Sequence, residues 1–190
     1  MAGWVEQTPS DFCFAVKASR YITHIKRLKD PEKYVERFCA QIVPLIRARR
    51  LSVILWQLPP SFKRDDERLA AALKAIHDRA PGRHAVEFRH PTWFTEDVYA
   101  LLHEHNAALV IPDSPEYPFA ERKLTADWTY IRLHRSGRGA SRGKYGKREL
   151  ETWKRRIAAW RSNAEALVYF NNDWEGFAVD NARALREGFS

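Results

Sequence analysis

The sequence predicts an α/β fold and, within that class, a (β/α) barrel of parallel strands. Three observations predict it. Six short β-rich runs alternate with helical patterns, the rhythm of parallel βα units. No linker or low-complexity spacer interrupts that rhythm, so residues 1–190 read as a single domain. The runs also keep one polar face, richest at their C-terminal ends. A doubly wound sheet buries both faces of its central strands, whereas a barrel turns one face toward its axis and builds sites at the C-terminal mouth.

The β-rich runs are FCFAVKA (12–18), SVILWQLP (52–59), HAVEFRH (84–90), AALVIPD (107–113), WTYIRLH (128–134) and ALVYFNND (166–173). After the first comes PEKYVERFCAQIVPLIRARR, with Val35, Phe38, Ile42 and Leu45 at helical spacing. Asp30 precedes it as a cap, Pro31 takes the first helical position, and Pro44 is expected to kink or divide the helix. DDERLAAALKAIHDRA is a second helix, stopped by Pro81-Gly82. TEDVYALLHEHN follows HAVEFRH as a third. KRELETWKRRIAAWRSN aligns Leu150, Trp153, Ile157 and Trp160 on one face, and FAVDNARALREGF forms the last helix. Residues 114–127 carry no clear helix.

Strand alternation sorts the side chains by face. In WTYIRLH, Ile131 and Leu133 face helices, while Tyr130, Arg132 and His134 share the other side. In HAVEFRH, Val86 and Phe88 face helices, with Glu87 and Arg89 opposite. In LVYFNND, Val168 and Phe170 face helices; Tyr169, Asn171 and Asp173 face away. Lys17 and Asp113 also stand at strand ends, and Gln57 ends the second strand. Buried charge is costly unless paired or used. These residues are therefore either a site at the mouth or an ion-pair network that fixes the interior.

The formal net charge is +8 and the isoelectric point is near 9.7, which favours anionic partners. No run approaches a membrane span, and the start MAGWVEQTPSD has no apolar signal core. Cys13 and Cys39 are too few for a disulfide framework and read as reduced core fillers, so cytoplasm is the default compartment.

The stretches FAVKASRYITHIKRL, WQLPPSF, AVEFRHPTWF, TYIRLH and YFNNDWEGFAVDNARAL, with the Asp113 strand, resemble the YecE-like family, number seventy-two among domains of unknown function. They occur in the family's order and cover nearly the whole chain. The resemblance implies a TIM-type β/α barrel and no settled reaction. It maps the family's motif positions to Lys17, His24, Gln57, Glu87, Arg89, His90, Arg132, His134, Asn171, Asn172 and Asp173. It also implies two further βα units in front, with a Gly-Trp motif, so this chain is expected to hold about six of eight units and to be incomplete at its N-terminus. The family's usual glycine after RLH is Arg135 here. Open edges on FCFAVKA and ALVYFNND would then invite self-association.

Read chemically, Glu87, His134 and Asp173 are the candidate acid–base residues. Lys17, His24, Gln57, Arg89, His90, Asp113, Arg132, Asn171 and Asn172 are candidate ligand contacts. Arg89 and Arg132 suit an anion. The segment RSGRGASRGKYGKRE (135–149) holds six Lys/Arg and four glycines before or around its single acid, Glu149, and suits a phosphate or a nucleic acid. Metal ligation by Glu87, His90, Asp113, His134 and Asp173 is an alternative reading that no HxH or HExxH spacing supports. No GxGxxG supports a dinucleotide site, no nucleophile elbow is present, and no particular cofactor is indicated. Trp93 and Trp174 are placed near the ligand. Three function classes follow: a hydrolase or lyase acting on a phosphorylated or nucleic-acid substrate, a non-catalytic nucleic-acid binder, or an inactive barrel fragment.

Overall fold

The computed structural model describes residues 1–134, 143–161 and 164–189. Two compact units divide the chain, Met1–Ala108 and Leu109–Ser190.

The first unit opens with a short helix α1 (Ala2–Glu6), then β1 (Phe14–Lys17), a π-helical turn over Tyr21–Ile25 and α2 (Pro31–Arg47). β2 (Leu51–Gln57), α3 (Asp66–Arg79), β3 (Arg83–Glu87) and α4 (Glu96–Glu104) follow. β1 pairs with β2 and β2 with β3, all parallel, with Lys17 opposite Leu55 and Gln57 opposite Glu87. β2 is buried from Val53 through Gln57, as a strand covered on both faces must be. The predicted stripe of α2 is its buried face, with Val35, Phe38, Ile42 and Leu45 all inside. Asp65 caps α3 by accepting from Arg68 N at 3.1 Å. The helix gives way at Pro81-Gly82, where Gly82 has φ +95°.

In the second unit β4 (Ala108–Asp113), β5 (Trp128–Leu133) and β6 (Glu165–Phe170) are parallel, β4 beside β5 and β5 beside β6. α5 (Lys147–Arg161) and α6 (Phe177–Glu187) complete it. Ile131 and Leu133 join Trp153, Ile157 and Leu185 in one apolar cluster, with Val168 and Phe170 packed against it. That is the helix-facing set the alternation predicts. On the other side of the strands, the Tyr130 and Tyr169 rings stack with centroids 4.9 Å apart.

Several expectations are corrected. Pro44 does not divide α2, which runs through it to Arg47, so that little helix lies beyond the proline to be turned aside. Asp30 holds the N-cap position with φ 47° and makes no side-chain cap bond. Cys13 is exposed and Cys39 half-buried, so neither is a core filler; both are free thiols. Trp93 is fully buried: its ring stacks on Phe88 at 4.7 Å and its Nε1 donates to Phe62 O at 2.7 Å. The strands are also shorter than read. β3 stops at Glu87 and β6 at Phe170, so Arg89, His90 and Asn171–Asp173 stand on the loops that leave those strands.

A buried amide network ties the end of β6 to α6. Asn181 Oδ1 accepts from Tyr145 N at 3.0 Å and from Asn172 Nδ2 at 2.9 Å, while Asn181 Nδ2 donates to Tyr145 O at 2.9 Å. Asn181→Ala strips partners from buried polar groups, so it is expected to lower unfolding free energy by about 2 kcal/mol in a urea titration. An unchanged midpoint would show that the network adds nothing.

Candidate functional site

In the first unit, the polar side chains stand where β1, β2 and β3 end. Glu87 is the last residue of β3 and is 0% exposed. Its Oε1 accepts from Arg89 Nε at 2.7 Å, and the Arg89 side chain is 19% exposed. A buried carboxylate needs such a partner, and in this geometry Glu87 fixes the plane of the guanidinium. Beside it in register, buried Gln57 accepts from Lys17 Nζ at 2.9 Å, so the amide holds the ammonium at the end of β1. The carbonyl of Glu87 takes the Leu58 N–H at 2.9 Å, which extends the pairing of β2 and β3 one step beyond β2.

His24 comes to this group on the turn after β1. The π-helical turn wraps over Tyr21–Ile25, burying Ile22 and Thr23 and setting His24 Nδ1 2.8 Å from Thr23 Oγ1. Its pKa is pushed below the ordinary imidazole value by burial and then by Arg20, Lys17 and Arg89. Two cations from its own segment and one from the loop after β3 thus add to the effect of burial. His90 lies one residue past Arg89 and is half-buried; its Nδ1 accepts from Thr92 N at 3.3 Å and caps the short turn Pro91–Trp93.

In the second unit, Asp113 ends β4 and its Oδ2 accepts from Trp153 Nε1 at 2.9 Å. Its carbonyl takes the His134 N–H at 3.1 Å. Arg132 Nε donates to Asn171 Oδ1 at 3.0 Å, joining the ends of β5 and β6. Asn172 is buried and commits its Nδ2 to Gly143 O at 3.1 Å and to Asn181. Asp173 is exposed at the start of the turn Trp174–Gly176 and makes no side-chain cap bond there. Trp174 is exposed as well.

Of the candidate acid–base residues, Glu87 therefore belongs to the first unit, and His134 and Asp173 to the second. Lys17, His24, Gln57, Glu87 and Arg89 come together in the first unit. Arg132 with Asn171, and Asn172 with Asn181, come together in the second. Among the described residues, no three His, Cys, Asp or Glu side chains group as metal ligands would. Of the basic segment, residues 135–142 lie outside the described residues. Its tail is partly bonded: Lys144 Nζ lies 3.8 Å from Asp180 Oδ2, and Glu149 Oε2 accepts from Gly146 N at 2.9 Å. Among the described residues, no helix is long and apolar enough to cross a membrane. The sequence reading passed over Arg20 and Asn181. Arg20 sits in the motif stretch RYITH, but no strand alternation points to it, and Asn181 resembles any polar residue of a surface helix.

A family model described as "Protein of unknown function DUF72" matches residues 1–190. The chain is 27% identical over 212 residues to "UPF0759 protein YunF" of Bacillus subtilis (strain 168), covering 97% of this chain and 75% of that protein. The crystal structure of a DUF72 family protein from Thermotoga maritima MSB8 is similar with a TM-score of 0.84 and 33% identity, over 97% of this chain and 76% of that one. A DUF72 family protein from Enterococcus faecalis V583 is similar with a TM-score of 0.79 and 25% identity, over 98% and 81% of the two chains. With these relatives, the fold class is that of an incomplete TIM-type (β/α) barrel, α/β with parallel strands.

Proposed function

The chain belongs to the DUF72 family, and from that premise we propose that it binds an anionic, phosphate-bearing ligand at the C-terminal ends of β1–β3. The observation that carries this reading is the placing of two cations at the strand ends, Lys17 at the end of β1 against buried Gln57 and Arg89 after β3 against buried Glu87, with Gln57 and Glu87 opposite each other in register. These charges, with Arg20, also hold the His24 pKa down after the effect of burial, and an anion placed among them offsets that unfavourable field. Lys17 and Arg89 are held for the purpose by buried groups, Gln57 and Glu87, and prior positioning lowers the entropic cost of binding. In this reading Glu87 positions Arg89. His24, kept neutral near pH 7, is the group beside the anion that can accept a proton.

Calorimetric titration with inorganic phosphate and pyrophosphate at low salt tests the reading. Arg89→Ala and Lys17→Ala are each expected to weaken binding by roughly 10- to 100-fold, the worth of one charge-assisted hydrogen bond. Affinity is also expected to rise as pH falls, because His24 gains a proton below the ordinary imidazole range and adds a cation to the group. Absence of binding by either anion at low salt would refute the proposal.

A further inference from the structure

Two clefts of the first unit adjoin along the side chain of Tyr21. The larger, about 620 Å³, carries His24, Lys26, Arg27, Lys29 and Arg68 on its walls. Among the described residues, no carboxylate lines it. Arg68 is paired with Asp65 at 3.0 Å and Arg27 Nη2 donates to Ser61 Oγ at 3.3 Å. Lys26 lies over the rings of Tyr21 and Tyr34 at 5.6 and 5.4 Å. His24 belongs both to this cleft and to the cation group at the strand ends, so the basic surface runs from one to the other.

The smaller cleft, about 370 Å³, has a different chemistry. Its wall is one stripe of α2, Tyr34, Arg37, Phe38 and Gln41, spaced so that all four share a helix face. Its floor is apolar: Phe38 and Ile22 are 5% and 2% exposed. Tyr21 stands at the rim, 42% exposed and edge-on to Tyr34 with centroids 5.2 Å apart. An apolar slot bounded by aromatic rings accepts a planar ring. The exposed Gln41 amide offers a donor and an acceptor together, the pair that reads the edge of a base. The size falls within the range of small-molecule sites. The connection between β1 and α2 that builds both clefts holds Arg27, Leu28 and Asp30 at φ 49°, 63° and 47°. Three non-glycine residues in the left-handed region cost energy that an ordinary connection would avoid.

We propose that the ligand of this protein is a free nucleotide, with its base in the slot between Tyr21 and α2 and its phosphates in the basic cleft beside it. This rests on the anion reading above, extends that site through His24 from Lys17 and Arg89 into the basic cleft, and narrows its ligand to phosphates that carry an aromatic base. The geometry accounts for why one tyrosine forms a wall of both compartments. A base bound in the slot is directly continuous with phosphates at His24 and Lys26.

The test compares inorganic triphosphate with ATP, GTP, CTP and UTP by calorimetry at one ionic strength. At least one nucleotide is expected to bind at least tenfold more tightly than triphosphate. Gln41→Leu is expected to remove most of that excess and leave triphosphate binding unchanged, whereas Tyr21→Ala, which borders both clefts, is expected to remove the excess and to weaken triphosphate less than the nucleotide. Both side chains are exposed, so either variant suffices if the other fails to fold. A Lys26→Ala/Lys29→Ala double variant is expected to weaken both ligands. Equal affinity for triphosphate and every nucleotide would overturn the nucleotide assignment and leave the anion site standing. An excess that survives both Tyr21→Ala and Gln41→Leu would overturn it too, as would binding of a single-stranded oligonucleotide without binding of any mononucleotide. If neither triphosphate nor nucleotide binds, both readings fall.

Discussion

Glu87→Leu is expected to lower the unfolding free energy by about 3–5 kcal/mol, the cost of breaking a buried ion pair from one side. Glu87 is fully buried and Arg89 largely so, with 2.7 Å between the paired atoms. Leucine fills a similar volume but leaves the guanidinium among desolvating neighbours without its carboxylate. The penalty comes from the stranded charge and not from lost packing, so the double variant Glu87→Leu/Arg89→Met should recover much of the loss. Urea titrations of the three proteins decide this. An unchanged or raised midpoint for Glu87→Leu would mean that the carboxylate is held at a cost to stability, which is the behaviour of a functional group and not of an anchor. A large drop, with Arg89→Ala also losing phosphate affinity, would establish Glu87 as the residue that positions Arg89.

Stability is expected to fall steeply in mild acid because of His84. This imidazole is buried in β3, and its pKa is lowered from 6.5 to about 4, by burial above all. Its Nδ1 accepts from Trp56 Nε1 at 3.4 Å, so Nε2 carries the proton and donates to Ala80 O at 3.1 Å. The folded state therefore keeps the ring neutral down to about pH 4. The unfolded chain protonates it near 6.5. Between those values the unfolded state binds more protons. The stabilisation is complete above the unfolded value and drains away as pH falls toward the folded one. The full loss is about 3 kcal/mol, at roughly 1.4 kcal/mol for each pKa unit. Denaturant midpoints for the parent protein and His84→Gln at pH 7.5 and pH 4.5 measure it. The parent should lose about 2.5 kcal/mol more than the variant over that interval, which stops short of the folded-state value. Equal losses would place the acid sensitivity elsewhere.

Features of the fold that depend on neighbours in sequence were legible from the residues. Alternation in WTYIRLH and LVYFNND placed Ile131, Leu133, Val168 and Phe170 against helices, and they pack there. Spacing on α2 identified Val35, Phe38, Ile42 and Leu45 as its buried face. Periodicity works at these positions because a strand or a helix fixes the direction of each side chain within a turn or two. Ionisable strand ends were legible for the same reason. Their partners were not, since a period assigns a face but says nothing of what lies across it.

The amino-acid sequence by itself determined the α/β class, the order and type of the six strands and their intervening helices, and which strand residues face helices. Tertiary structure alone decided three matters. It paired Lys17 with Gln57 forty positions on, and it brought the charge of Arg89, after β3, to act on His24, after β1. It put Trp93 in the core and left Cys13 outside, although both sit beside strands in the sequence. And it set the turn after β1 against one stripe of α2 to make a slot that neither segment encodes alone. The physical reason is common to all three. Burial and charge pairing depend on distances through space between residues tens of positions apart, and packing sets those distances after the local elements have formed.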